Sequence, residues 1–447
     1  MITGKTATDI FEQIRTLVQS GNYKPGDSLP PVRELAIELG INRNTVAAAY
    51  KRLADAGIAV SKGRNGTLIR EQVQNTPYEG TPPGLALRDM AGGNPSPALL
   101  PKLRISSLNE KNVSKLYGEP IINMELERIG RNLLEQDLQV SYELNLTNGA
   151  VDAVERLLTC YLISGDKIAV EDPCFLSSIN TIKNNRFVAI GVPVDEEGIQ
   201  VSDLSAHLAA GVQAIIITPR AHNPTGWGLS AARAVQLKEL LECYPQVLVI
   251  VDDHFSLLST TDYQHIIPAT TRHWALIRST SKFLGPDIRL AFVASDTETS
   301  QHLRQRLNSG TNWVSHILQE IATATWNSPD FGQELTRAKE TYWKLREHLT
   351  RCLKDYGINV SEHHDGLNLW LPLEDNSTNT VMLLAQHGWL TRGGEVFGVT
   401  QTCHGLRITI SELDESTIES LAKVLAGILK VDDKHRQKIQ SNLTTTY

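Results

Sequence analysis

Ser279 to Val293 reads STSKFLGPDIRLAFV, and its single lysine, Lys282, is the residue around which the rest of the chain is arranged. Hydroxyls stand on either side of it at Ser279 and Ser281, and Arg289 follows seven residues on. Upstream, VLVIVDD (247–253) is an apolar strand that ends in Asp252, at the edge where open α/β sheets keep their ligands. HNPTG (222–226) offers Asn223 in a turn after the strand expected over 214–218. EDPCF (171–175) offers Phe175 just past another strand. LTNGAVDAVERLL (146–158) reads as strand end, glycine turn and helix. That leaves the backbone N–H groups of Ala150 and Val151 at a positive helix terminus. Near the end, HGLRITIS (404–411) carries Arg407.

These residue types are the ones that pyridoxal 5'-phosphate requires. A lysine held at the end of a rigid element can form an imine with the cofactor's aldehyde; that is Lys282. A carboxylate keeps the pyridine nitrogen protonated, which suits Asp252. A dianionic phosphate needs hydroxyls, backbone donors and a fixed cation; Ser279, Ser281, Arg289, Ala150 and Val151 supply them. Phe175 can cover the flat ring, and Asn223 can donate to the phenolic oxygen. Arg407 suits the carboxylate of a substrate or effector through a two-pronged contact. Singly, each has a plain reading as turn, cap or core. Their order (glycine loop, aromatic, Asn, Asp, Lys, Arg) is what carries the inference.

The chain has 447 residues, of which 41% are apolar and 21% charged. That is too long for one core, and it is the composition of a globular protein. No apolar run approaches the roughly 18 to 20 residues of a membrane helix, and Met1 to Asp9 lacks the basic-then-apolar order of a secretory signal. Five scattered cysteines form no CxxC pair, which fits a reducing cytoplasm rather than a disulfide frame or zinc site. His363-His364-Asp365 reads as loop, not metal site. From 84 to 429, strand-length apolar runs alternate with amphipathic stretches, which predicts an α/β fold with a largely parallel sheet. The expected division is a head over 1–70, a linker over 71–88, a body over 89–430 and a frayed polar tail over 431–447. Net charge is −7, but residues 1–70 hold ten Lys and Arg against six Asp and Glu. A basic head on an acidic body points to a polyanion met by the head alone.

In that head, Ile10, Ile14, Leu17 and Val18 share one helical face. Pro31 opens a second helix, Gly40 ends it, and Asn42 caps a third. Two short helices joined through a glycine form a helix-turn-helix, followed by a basic hairpin over 58–69. The second of the pair enters the major groove with its first residues foremost: Asn42, Arg43, Asn44 and Thr45. Arg33, Arg52, Lys62 and Arg64 are placed to hold phosphates of operator DNA.

LPPVRELAIELGINRNTVAAAYKRLADAGI (29–58) resembles the winged helix of the GntR family of bacterial regulators. The resemblance puts DNA contacts on Arg33, Asn42, Arg43, Asn44 and Thr45, and the wing tip on Gly66. The body resembles fold-type-I PLP-dependent aminotransferases over about 340 residues. A winged helix joined to such a body is the architecture of the MocR-type subfamily, and the chain is similar to members tied to vitamin B6 metabolism. The resemblance implies a homodimer in which a partner tyrosine reaches the phosphate; Tyr117, in YGEP, matches it. Where many members have a tyrosine at the phenolic oxygen, this chain has His254. Val151 replaces a polar residue of the glycine loop. Such departures weigh against efficient turnover. Two functions are expected in that order: a regulator that senses PLP or an amine or amino-acid effector, and an active aminotransferase with an appended DNA-binding head.

Overall fold

The computed structural model describes residues 2–63, 66–70, 77, 79–82, 84–109 and 115–444; of 431–444 only the backbone is described. The chain divides into two compact units, Met1–Asn75 and Thr76–Tyr447.

In the first unit, α1 (Ala7–Gln19) opens with a reciprocal cap in which Asp9 N donates to Thr6 Oγ1 and Thr6 N to Asp9 Oδ2. Next come α2 (Val32–Leu39) and α3 (Arg43–Asp55). Pro31, expected in the first turn of the second helix, is the cap of α2. Gly40 ends α2 at φ +64, a conformation glycine adopts at little cost. A hairpin of β1 (Ala59–Ser61) and β2 (Thr67–Ile69) follows. Ile10, Ile14, Leu35, Val46, Ala49 and Leu53 form the core of this unit.

The second unit begins inside the expected linker. Gly80 N donates to Gly92 O, and β3 (Arg88–Asp89) lies in a sheet. The stretch is therefore in part built into the body, held by backbone pairing and by Glu79. Then come α4 (Met124–Glu135), β4 (Glu143–Thr147), α5 (Ala150–Tyr161), β5 (Lys167–Asp172), α6 (Leu176–Asn184), β6 (Val188–Asp195) and β7 (Gly198–Ile199). They are followed by α7 (Val201–Ala209), β8 (Ala214–Ile217), α8 (Ala231–Glu242), β9 (Leu248–Asp252), β10 (Trp274–Ser279) and β11 (Ala291–Ser295). These strands form one eight-stranded sheet in the order β4-β11-β10-β9-β8-β5-β6-β7. Neighbours from β10 to β6 are parallel; β11 and β7 run the other way.

Why the central strands read as unbroken apolar runs is visible in how they alternate. In β8, Ile215 and Ile217 enter one core while Ala214 and Ile216 enter the other. In β9, Val249 and Val251 face the first, Leu248 and Ile250 the second. Both faces are covered, so neither can be polar.

After α9 (Thr297–Asn308), α10 (His316–Trp326) and α11 (Phe331–Asp355) comes a smaller lobe. It holds β12 (Asn368–Pro372), α12 (Thr378–Gln386), β13 (Trp389–Leu390), β14 (Arg392–Gly393), β15 (Gly405–Thr409) and α13 (Glu415–Thr444). β12, β15 and β14 form an antiparallel sheet, and β13 pairs with β3. α13 runs past 430, where the body was expected to end, to Thr444, so the tail continues a helix rather than fraying at once. Among the described residues no helix is long and apolar enough to cross a membrane.

Candidate functional site

The parallel strands deliver their last residues to one edge of the large sheet. Asp252 ends β9 and Ser279 ends β10, strands that lie side by side. Thr147 ends β4 and pairs with Ala291 at the start of the reversed strand β11. That reversal brings Arg289, two residues earlier, beside the turn that follows β4. Arg289 Nη2 donates to Asn148 O at 3.0 Å. Arg289 itself holds φ +45, the left-handed region.

Gly149 caps α5 at φ +96, and a Cβ there would lie 2.5 Å from Arg289 Nη2. The glycine thus lets the guanidinium pack against the turn that leads into the first N–H groups of α5, those of Ala150 and Val151. A phosphate fits such a cradle, with cation, dipole and backbone donors converging. Ser279 Oγ donates to Ser281 Oγ at 3.1 Å and accepts from Ser281 N at 3.3 Å, so both hydroxyls share the turn that carries Lys282.

Asp252 is buried, and its Oδ1 has no hydrogen-bond partner among the described residues. Burial, with the charge of Asp253 adding to it, pushes its carboxyl up to about 7. A buried acceptor without a donor is costly, and a protonated pyridine nitrogen is the donor it lacks. Together with the glycine cradle, this orphaned oxygen fits pyridoxal 5'-phosphate. Asp253, the next residue, is structural: it holds Arg220 through two contacts of 2.8 Å and Arg278 at 3.0 Å.

Lys282 Nζ donates to Gly93 O at 2.7 Å. Burial lowers its pKa to about 8, against the pull of Glu79 and with the push of Arg407. An amine so depressed is closer to its nucleophilic free form than an exposed lysine. His254 is held neutral by burial and then by the Lys282 charge, with a pKa lowered to about 4. His222, one residue before Asn223, falls to about 3, chiefly through burial. Its Nε2 lies 3.5 Å from Glu171, whose carboxyl burial raises to about 8. The two approach as neutral groups, not as an ion pair.

Asn223 is buried, and the peptide bond that follows it, to Pro224, is cis. Its amide is engaged on both sides: Oδ1 accepts from Arg407 Nη1 at 2.9 Å, and Nδ2 donates to Glu79 Oε1 at 3.2 Å. Arg407, fully buried on β15, also grips Glu79 directly. Phe175 is half-buried and caps α6 just past the end of β5. Tyr117 stands apart at 86% exposed, edge-on to Trp313. Glu79, Gly93 and the His222–Glu171 pair were not read from the sequence as site residues. Of these, His222 and Glu171 stand at the starts of the HNPTG and EDPCF motifs.

In the head, Arg33, Asn42, Arg43, Asn44 and Lys62 are exposed, and Thr45 is half-buried. Asn42 Oδ1 accepts from Asn44 N at 2.8 Å, so its oxygen caps α3. Arg52 Nη1 donates to Thr8 Oγ1 at 2.8 Å, which turns that side chain onto α1. Gly66 takes φ +83 with open space around it. Arg64 lies outside the described residues.

Known proteins share both units. The family of bacterial regulatory proteins described as gntR matches residues 6–69, and that of aminotransferase class I and II matches 87–425. The chain is 50% identical over 422 residues to the vitamin B6 salvage pathway transcriptional repressor PtsJ of Salmonella typhimurium, covering 94% of this chain and 98% of that one. This chain belongs to the MocR-type regulators of the GntR family. Another relative, the HTH-type transcriptional regulator YdcR of Escherichia coli, is 26% identical, covering 83% of this chain and 87% of that one. Among solved structures, a Pyrococcus horikoshii kynurenine aminotransferase superimposes with TM-score 0.70 at 21% identity, over 78% of this chain and 92% of that one. LysN, the α-aminoadipate aminotransferase of Thermus thermophilus, gives 0.67 at 20%, over 77% and 92%. These likenesses give the fold of the body: a fold-type-I aminotransferase-like domain behind a winged helix. As in that family, its cofactor is pyridoxal 5'-phosphate.

Proposed function

We propose that this MocR-type regulator is a cytoplasmic homodimer that binds operator DNA through its heads and senses pyridoxal 5'-phosphate through its bodies. It would control genes of vitamin B6 salvage. The reading is supported by the printed role of the Salmonella relative, which matches nearly the whole chain. The observation that carries it is the convergence at one sheet edge of Lys282, the orphaned Asp252 oxygen and the Gly149–Arg289 cradle.

When bound, pyridoxal 5'-phosphate would supply an aldehyde, and Lys282 is the residue whose amine would hold it. The chain does the rest. Asp252, ionised once a cation faces it, would hold the proton at the pyridine nitrogen. Ser279, Ser281, Arg289 and the N–H groups of Ala150 and Val151 would bind the phosphate, with Tyr117 of the partner subunit closing it. Phe175 would cover the ring and keep water from it. His254, being neutral, adds no charge beside Lys282. In the head, Arg43 and Asn44 read base edges while Arg33 and Lys62 fix register on phosphates.

A ligand shifts DNA binding only by its differential affinity for two states of the protein. The test is a titration of pyridoxal 5'-phosphate into a DNA-binding assay with the promoter fragment next to the gene. Wild type is expected to change affinity or footprint with cofactor, and Lys282→Ala to lose both that response and visible absorbance. A wild-type footprint and affinity unchanged at any cofactor concentration sinks the sensing claim.

A further inference from the structure

The innermost cation of the site already has a carboxylate. Arg407 Nη1 donates to Glu79 Oε1 at 2.6 Å and Nη2 to Oε2 at 2.7 Å, a two-pronged match. Asn223 Nδ2 adds a third bond to Oε1. Gly93 makes the room: a Cβ on it would sit 2.8 Å from Glu79 Oε2 and 3.2 Å from Arg407 Nη2. The same glycine's carbonyl holds the Lys282 amine. Glu79 thus lies beside both the reactive lysine and the arginine that the sequence suggests for an incoming carboxylate. Burial disfavours its charge, yet the Arg407 hydrogen bonds and the charges of Arg407, Lys282 and Arg392 hold its carboxyl below the usual range.

We propose that Glu79 is a tethered occupant of the amino-acid carboxylate seat, so that the body admits the cofactor and excludes amino acids. This rests on the reading of the cofactor site given above, and it narrows the sensed ligand to the cofactor itself. A free amino acid has to displace a carboxylate that the chain carries at high effective concentration. It exchanges one two-pronged contact for another and gains little at Arg407. The seat cannot simply be vacated, because an unpaired buried guanidinium is strongly unfavourable. The seat is sealed further by the other bonds of Arg407, to Asn223 Oδ1 and to Ala91 O at 2.5 Å.

The experiment loads the full-length protein with pyridoxal 5'-phosphate and titrates L-alanine while recording the visible spectrum. Wild type is compared with Glu79→Gln, Glu79→Asp and the double variant Glu79→Gln/Arg407→Lys. Glu79→Gln is expected to bind L-alanine at least about tenfold more tightly than wild type, the penalty of an intramolecular competitor being lifted. Glu79→Asp, whose shorter side chain reaches Arg407 poorly, gains less, and the double variant loses the gain. If both single variants keep the cofactor's absorbance but bind L-alanine within twofold of wild type, the occupant idea fails and the cofactor site stands. If wild type shows no visible absorbance with cofactor, both fall together.

Discussion

Asp252 keeps a carboxylate in a buried place where one of its oxygens has no donor among the described residues, and this has a measurable cost before any ligand arrives. Its folded pKa, about 7, lies above the ordinary value of 3.8. A group raised in this way favours the folded state fully below its unfolded pKa, and that contribution is lost as pH rises through the folded one. Cofactor-free Asp252→Asn should therefore melt close to wild type at pH 4 and above it at pH 8, the gap opening between those limits. Thermal melts across that range check it; a gap that closes with rising pH has the wrong sign. With pyridoxal 5'-phosphate the order reverses, because Asn cannot hold a proton on the pyridine nitrogen. Arg43 stands at the exposed start of α3. Arg43→Ala should weaken specific DNA binding by roughly 1–3 kcal/mol and leave the visible spectrum of the loaded protein unchanged. Equal loss of both would mean misfolding.

Among the secondary-structure elements, glycines separate steric demand from helix propensity. Gly130 lies within α4, where a Cβ would come within 2.6 and 2.7 Å of ring atoms of the fully buried Phe292. Alanine gains about 1 kcal/mol of helix propensity there but overpacks a ring that has nowhere to go, a loss of about 1–3 kcal/mol. Gly130→Ala should be net destabilising. Gly332, in α11, meets nothing within 4 Å, so Gly332→Ala should be neutral to stabilising; denaturant midpoints of the two must move apart. Gly149→Ala combines positive φ with a clash on Arg289, and should weaken cofactor binding more than tenfold, by roughly 1.4 kcal/mol or more.

These elements also show what the sequence made legible. Strand ends, glycine loop and lysine turn were readable because each is a local signal: an apolar run with a polar residue at its close. The start of α3 was readable from another local signal, the capping Asn42 just after the Gly40 break. Glu79 was not, because its partner Arg407 is 328 residues away and the stretch around it is polar and aperiodic. His222 and Glu171 were missed because only tertiary packing brings a β5 residue under the HNPTG turn. The linker's absorption into the body was invisible for a related reason, since β3 pairs with a strand from the far end of the chain.

Taken whole, the molecule puts a balance of +4 on residues 1–70 and the remaining −11 on the rest. DNA affinity should fall steeply with salt as phosphate contacts are screened, by tenfold or more between about 50 and 200 mM, while the cofactor's absorbance barely moves. A flat salt profile would mean that the basic head is not the polyanion-binding face. The pairing of β3 with β13 also orders events during translation. The head holds its entire core within residues 2–69, so it can fold soon after it leaves the ribosome. Arg88 must wait for Trp389, about 300 residues behind it, which at roughly 5–20 residues per second is about 15 to 60 seconds. Throughout that interval a nascent chain would carry a finished DNA reader with no finished sensor, and a prematurely terminated chain would stay that way.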